Sequence, residues 1–131
     1  MIIDASALLA ILFDEPEAEC FAQALADAQT RQMSAVNYLE AAIRIDREHN
    51  VLVSQKFDAF IEFSQITIVA VSAEQASIAR LAYAEFGKGI HPAGLNFGDC
   101  FAYALAKHTG HPLLFKGHDF IHTDIKSAVK I

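Results

Sequence analysis

The feature that most constrains the fold of this chain is an alternation of short, strongly apolar runs with longer segments of helical periodicity. The apolar runs predict strands at residues 1–3, 32–35, 65–71 and 112–115, with an additional edge strand at 124–129. Strands separated by helices indicate a parallel sheet with right-handed crossovers. We therefore predict an α/β fold in one domain over residues 1–131, with a central parallel sheet of four to five strands and helices on both faces.

Capping residues and breakers predict where the helices begin and end. Pro16 is expected in the first turn of a helix that restarts at Asp14, and Gly110 closes the helix that Asn96 opens. The predicted helices cover residues 5–13, 14–28, 37–49, 54–64, 72–86 and 96–108. The capping boxes Asn37-x-x-Glu40 and Ser72-x-x-Gln75 begin the third and fifth of them. Residues 87–95, with three glycines and a proline, form the one clear loop.

Four acidic residues that are far apart in the sequence are predicted at one edge of the sheet. Asp4 ends the first strand, and Glu40 lies in the first turns of the helix after the second strand. Asp99 lies in the first turn of the helix that begins at Asn96, and Asp119 follows the strand 112–115. Because ligands of open parallel sheets bind outside the carboxyl ends of the strands, this edge is the candidate site.

Clustered carboxylates disfavour one another's ionisation, so such a group is unfavourable unless a cation lies within it. Mg²⁺ and Mn²⁺ prefer oxygen ligands, and Mg²⁺ takes only one or two carboxylates directly while keeping several waters. Such ions can activate water and stabilise the leaving oxygen in phosphodiester hydrolysis. The pattern therefore favours a divalent-metal site that needs no Ser, His or Cys nucleophile.

Each acid also has a purely structural interpretation. Glu40 and Asp99 could complete the capping boxes of Asn37 and Asn96, and Asp119 could be an ordinary turn residue. Asp4 is harder to explain in this way, because it lies between apolar segments where an unpaired charge is costly to bury.

Several other chemistries are disfavoured by the motifs that are missing. The His118-x-x-x-His122 spacing is compatible with zinc, but there is no HExxH motif. The sequence contains neither a P-loop nor a G-x-G-x-x-G motif, and no serine has a G-x-S-x-G setting. Cys20 and Cys100 are two isolated thiols, which we interpret as reduced and structural.

Charge neither supports nor excludes a nucleic-acid partner. The net charge is −6, but residues 1–79 carry twelve acids and four bases, whereas residues 80–131 carry four acids and six bases. The N-terminal run has no basic region before it and is interrupted by Asp4, so we predict no signal peptide and a cytoplasmic protein.

With these positions assigned, the chain resembles the PIN-domain ribonucleases, and specifically the VapC toxins of bacterial toxin–antitoxin pairs. The resemblance covers nearly the whole length and rests on four segments in the expected order: MIIDAS at 1–6, SAV at 34–36 followed by LE at 39–40, NFGDCFAYA at 96–104 and LLFKGHDF at 113–120, followed by TDI at 123–125. It implies a single PIN-like domain that acts as a Mg²⁺-dependent endoribonuclease, with Mn²⁺ as a substitute.

The resemblance also implies roles for individual residues. The acidic quartet of the family corresponds to Asp4, Glu40, Asp99 and Asp119, with Mg²⁺ held chiefly by Asp4 and Asp99. Next to that site, a small hydroxyl residue and a polar neighbour of the family correspond to Ser6 and Asn96, and Asp124 is a further, water-mediated candidate. His118 departs from the Asn or Asp that family members often carry, and we expect it to alter hydrogen bonding without abolishing metal binding.

The partners implied by the resemblance are an RNA substrate, a VapB-type antitoxin and a second copy of the chain in a homodimer. The helical stripe Phe57/Phe60/Ile61 is either a docking surface or dimer face or, in the simpler interpretation, a stripe of which part is plain core. Basic residues that are candidates for RNA contact are Arg44, Arg47, Arg80, Lys88, Lys107 and Lys116. The alternative function is a catalytically weak PIN-fold module that binds RNA or a partner protein without cleavage, and His118 is the one sequence feature in its favour.

Overall fold

Four short strands form one parallel sheet in the computed structural model, which describes residues 1–130. They are β1 (Ile2–Ile3), β2 (Gln32–Ser34), β3 (Thr67–Val69) and β4 (Leu113–Leu114), in the order β3-β2-β1-β4. Every neighbouring pair is parallel, with Ile2 opposite both Gln32 and Leu113. The fold class predicted from the alternation of strands and helices is confirmed, with four strands.

Helices make the connections between strands, and within residues 1–130 none of them is both long and apolar enough to cross a bilayer. They are α1 (Ala5–Leu12), α2 (Ala18–Asp27), α3 (Ala35–Asp46), α4 (Val51–Phe63), α5 (Ala73–Phe86) and α6 (Phe97–Thr109). A 3-10 turn follows β4 at Asp119–His122. The Ser72 cap and the left-handed Gly110 at the end of α6 are as predicted.

Alternation along the strands divides the core into two parts, one on each face of the sheet. Ile2 and Leu113 pack with α5 and α6, whereas Ile3 and Leu114 pack with the first four helices. Phe57 lies in the second part, almost fully buried, whereas Phe60 and Ile61 are partly buried against that part, so the prediction that part of this stripe is core is confirmed for Phe57. Each such buried side chain contributes about 1.5–3 kcal/mol.

Three predicted helix starts are wrong; local capping explains the first two, and a turn explains the third. The Ser34 hydroxyl accepts from the Val36 N–H, so α3 begins at Ala35 and Asn37 lies inside the helix. Asn50 caps α4 at Val51, earlier than residue 54. Pro16 lies before α2, because the turn that follows α1 occupies residues 14–17.

The predicted edge strand at 124–129 is also wrong. This segment makes only an isolated bridge between Ser127 and Leu113. The Ser127 hydroxyl bonds to Val129 in a local turn, and that curvature prevents further pairing with β4. The sheet therefore ends at β4.

Candidate functional site

Asp4 is the most deeply buried of the four carboxylates at this edge of the sheet. Its backbone N–H donates to the Leu114 carbonyl (2.9 Å), and its side chain caps α1. The carboxylate oxygen Oδ2 accepts from the Ser6 N–H (3.1 Å) and from the Ser6 hydroxyl (2.5 Å). Only 5% of the residue is exposed, and this burial raises the pKa of Asp4 even though the Ser6 bonds act in the opposite direction.

Ser6 joins the end of β1 to the loop that follows β4. Its hydroxyl donates to Asp4 and accepts from the Lys116 N–H (3.0 Å). The Lys116 side chain is in turn held by Glu15 at 2.7 Å, and this hydrogen bond raises the pKa of Lys116. Ser6 therefore sets the position of Asp4 relative to the segment that leads to Asp119.

Glu40 reaches the site from α3 by lying directly against Gly98 at the start of α6. Its Oε1 accepts from the Asn37 amide (2.8 Å), which also donates to the Gly98 carbonyl (3.0 Å). A Cβ atom at residue 98 would overlap the Glu40 carboxylate, so only glycine permits this approach. The side chain of Glu40 is exposed as a whole, but desolvation of its carboxyl group raises the pKa of Glu40, as does the charge of Asp4.

Asp99 is a helix-capping residue, and it is also a residue whose pKa is raised by the charges of the other three acids. It forms a reciprocal capping box with Asn96, in which Asp99 Oδ2 accepts from the Asn96 N–H (3.0 Å) and Asn96 Oδ1 accepts from the Asp99 N–H (2.9 Å). Burial raises the pKa of Asp99 to about 7, and repulsion from Asp4, Asp119 and Glu40 contributes to the rise. The structural interpretation of Asp99 is therefore correct as far as it goes, but it does not account for three further carboxylates nearby.

Asp119 completes the group from the 3-10 turn after β4. It is exposed, and its charge raises the pKa of both Asp4 and Asp99. His118 precedes it, is exposed and makes no capping bond from its side chain. Asp124 lies elsewhere, where it accepts hydrogen bonds from Tyr103 (2.6 Å) and Lys107 (2.5 Å) two turns along α6.

The structure thus brings Asp4, Glu40, Asp99 and Asp119 close enough to act on one another electrostatically. Within residues 1–130, however, no three His, Cys, Asp or Glu side chains form a set that would ligate one ion directly. This arrangement suits a cation that takes one or two carboxylates and completes its shell with water, as Mg²⁺ does. It does not suit a structural zinc ion, which requires a closed set of four ligands.

Sequence reasoning assigned Asn37 to a helix cap and missed its role in the site. Asn37 is fully buried, orients Glu40, and has a side-chain oxygen without a hydrogen-bond partner among the described residues. The contact between Gly98 and the Glu40 carboxylate was likewise missed. The only signal in the sequence was the glycine next to Asp99, at an early helical position where glycine is unfavourable.

Comparison with known proteins adds an independent observation. A family model described as PIN domain matches residues 1–126. A ribonuclease VapC from Mycolicibacterium smegmatis is 52% identical over 128 residues, which cover 98% of this chain and 99% of the relative. Ribonuclease VapC28 from Mycobacterium tuberculosis is 48% identical over 130 residues, or 98% of each chain.

Solved structures show the same fold at much lower identity. The M. tuberculosis toxin VapC20, described as cleaving the sarcin-ricin loop, has a TM-score of 0.73 at 14% identity and covers 95% of both chains. A toxin–antitoxin complex from Klebsiella pneumoniae has a TM-score of 0.72 at 18% identity, covering 99% of this chain and 98% of the other. At such identities the structural likeness shows the fold alone.

Proposed function

The chain belongs to the PIN-domain family and, within it, to the VapC ribonucleases, and on this basis we propose that it is a Mg²⁺-dependent endoribonuclease. It hydrolyses RNA phosphodiester bonds at the acidic edge of the sheet, and Mn²⁺ can replace Mg²⁺. The observation that carries the proposal is the convergence of four carboxylates from four separate stretches of the chain, where the charges of Asp4, Asp119 and Glu40 add to the burial that raises the pKa of Asp99. A folded protein retains such repulsion where a bound cation offsets it.

Asp4 and Asp99 are the residues that would hold the metal. When bound, the cation supplies a Lewis acid that activates water and stabilises the departing oxygen. Ser6 holds Asp4 in a single orientation, and the cap with Asn96 occupies one oxygen of Asp99. The other oxygen of Asp99 has no hydrogen bond within residues 1–130 and is therefore the one available as a ligand.

Glu40 and Asp119 complete the charge of the pocket. Asn37 fixes one oxygen of Glu40, and the other carboxylate oxygen can accept a proton from water. Asp119, on the 3-10 turn, is exposed and has no fixed partner within residues 1–130, so it can adjust to the substrate. A pocket with three carboxylates held by hydrogen bonds and one adjustable carboxylate suits a metal that retains several waters.

The experiment that tests the proposal is cleavage of labelled total RNA by purified protein free of any partner, with Mg²⁺ and with excess EDTA. We expect fragments with Mg²⁺ only, and none from Asp4→Asn or Asp99→Asn. Asp58→Asn is the matched control, because Asp58 is exposed on α4 outside the cluster. Full activity in either site variant, or equal activity in EDTA, would refute this mechanism, and a wild type without activity at any stoichiometry would favour a binding module.

We further propose that the protein is a homodimer and the toxin partner of a VapB-type antitoxin. Membership of the VapC ribonucleases supports both statements. Light scattering of the purified chain is expected to give twice the 14.3 kDa of one copy. A mass of one copy at every concentration would contradict the dimer.

A further inference from the structure

Lys116 bonds the segment that follows β4 to both ends of α1. At the start of the helix, its backbone N–H donates to the Ser6 hydroxyl (3.0 Å). At the other end, its ammonium group donates to Glu15 Oε2 (2.7 Å), in the turn that follows α1. Because a helix of this length spans ~12 Å, a residue that contacts both ends fixes the direction of its own segment along the helix. The same segment carries Asp119 a few residues later.

The turn that carries Glu15 is itself fixed by backbone hydrogen bonds. Asp14 adopts a left-handed conformation with a φ of 51°, and its N–H donates to the Ile11 carbonyl (3.2 Å). The Glu15 N–H donates to the Ala10 carbonyl (2.9 Å), which completes a Schellman motif at the end of α1. The Glu15 carbonyl then accepts from the Ala18 N–H (2.9 Å) at the start of α2. Glu15 is therefore an anchor whose backbone is held on both sides.

The ion pair between Lys116 and Glu15 is the most shielded pair formed by a lysine or arginine within residues 1–130. Its two side chains are 33% and 35% exposed, whereas those of the pair Arg44–Glu48 are 49% and 41% exposed. A second carboxylate, that of Glu17, lies 3.6 Å from the same ammonium group and has its other oxygen buried. Exposed ion pairs contribute little because water and salt screen them, so the shielding makes this pair the stronger restraint.

The charge of Lys116 is balanced inside the protein, although the sequence alone makes this residue a candidate for RNA contact. Two carboxylates lie beside its single ammonium group. Gly117 follows with a φ of 98°, and the chain turns there toward the 3-10 turn Asp119–His122. The bonds of Lys116 therefore restrain the backbone just before the turn that carries an acid of the site.

We propose that Lys116 is a positioning residue, whose bonds to Ser6 and Glu15 hold the backbone of the segment that presents Asp119 to the acidic site. The inference rests on the proposed ribonuclease function and adds to it the turn between α1 and α2, which helps to set the geometry of the site. The Asp119 carboxylate itself stays adjustable, because the restraint acts on the backbone before it. Lys116 thus affects cleavage without contacting RNA.

Kinetics separate positioning from RNA contact, because the two roles predict different effects when the carboxylates are removed. The substrate is a labelled RNA that the wild type cleaves with Mg²⁺. If Lys116 positions the segment, Lys116→Met and the double variant Glu15→Ala/Glu17→Ala should each lower kcat by about tenfold. If Lys116 contacts a phosphate, Lys116→Met should instead raise KM, and the double variant should lower KM without loss of kcat, because it frees the ammonium group.

Three further variants control for charge and folding. Lys116→Arg keeps the charge and can bond to the same carboxylates, so its kcat should lie within about threefold of the wild type. Glu48→Ala is the matched control for the double variant, because it frees Arg44 from an ion pair in the same way, and it should leave kcat unchanged. Lys56→Met removes an exposed charge on α4 and should also leave kcat unchanged.

Hydrogen exchange of the metal-free protein in EDTA tests the restraint without any cleavage. The backbone N–H groups to follow are those of residues 116, 121 and 123, which are hydrogen-bonded to Ser6 or within the segment. Relative to their intrinsic rates, they should exchange about tenfold faster in Lys116→Met and in the double variant. The N–H of Gln32 in β2, which donates to the Met1 carbonyl, should exchange at the wild-type rate.

Each outcome supports or overturns the proposal. Faster exchange confined to this segment, together with a lower kcat in both variants, supports it. A normal kcat in both variants overturns it, and so does faster exchange throughout the protein, which indicates a general loss of stability. A raised KM in Lys116→Met with normal kcat in the double variant would assign Lys116 to the substrate and also overturn it. If the wild type cleaves no RNA, the ribonuclease proposal fails by itself, and the exchange rates at residues 116–123 alone decide whether Lys116 holds the segment.

Discussion

Replacing Asp99 by Asn tests whether mutual repulsion of the acidic residues destabilises the metal-free protein. The pKa of Asp99 rises from its ordinary value of 3.8 to about 7, chiefly by burial and then by the neighbouring acids. At about 1.4 kcal/mol per pH unit this rise corresponds to an upper limit of about 4 kcal/mol. Because Asp99 is partly exposed, solvent screening reduces the expected gain to about 1–2 kcal/mol. An Asn side-chain oxygen still accepts from Asn96, so the helix cap is retained.

The sign follows from proton linkage. An acid whose pKa is raised in the folded state binds its proton more tightly there, so the folded protein loses stability as pH rises from about 4 to about 7. Asn at position 99 has no such loss. We therefore expect Asp99→Asn to be more stable than the wild type at pH 8 without metal, by roughly 4–8 °C in melting temperature for a chain of this length. The gap should be much smaller at pH 5.

The assay is thermal unfolding followed by circular dichroism at pH 5 and pH 8, in EDTA and in Mg²⁺. Mg²⁺ should raise the melting temperature of the wild type at pH 8 by mass action and should raise that of the variant far less. Asp58→Asn is expected to follow the wild type in every condition. The electrostatic reasoning fails if the gap between Asp99→Asn and the wild type is the same at both pH values, or if the variant is the less stable one at pH 8.

Three further predictions concern the residues around the cluster. Gly98→Ala should reduce cleavage by about tenfold to a hundredfold with little loss of stability, because the new Cβ displaces the flexible Glu40 side chain. A normal kcat/KM in this variant would show that the position of the Glu40 carboxylate is unimportant for cleavage. Ser6→Ala should lower the free energy of unfolding by about 1–3 kcal/mol and weaken Mg²⁺ binding, because the Ser6 hydroxyl hydrogen-bonds to both Asp4 and the Lys116 N–H. Ser6→Thr should restore the stability in melting experiments and the Mg²⁺ affinity in titrations. Asp124→Asn should leave cleavage within about twofold, because that side chain is engaged by Tyr103 and Lys107 away from the cluster, and a large loss of cleavage would place it in the site after all.

The elements that sequence predicted best are those controlled by residues next to them in the chain. The Asn96–Asp99 capping box, the Ser72 cap and the Gly110 terminus depend on contacts within one turn of helix, and all three are where the pattern places them. Asn37-x-x-Glu40 shows the limit of this approach. The same two residues satisfy the capping pattern, but Ser34 provides the actual cap and leaves Asn37 for a contact with Gly98, 61 residues away.

What the sequence determines by itself is the α/β class and the set of acidic residues at strand and helix ends, because periodicity and capping are local properties. Only the tertiary structure decides how those acids meet. The strand order β3-β2-β1-β4 brings the end of β1 beside the end of β4, and α3 packs against α6 so that Glu40 lies on Gly98. Burial and repulsion then raise the pKa of Asp99, and these effects depend on distances through space between residues that are far apart in the chain.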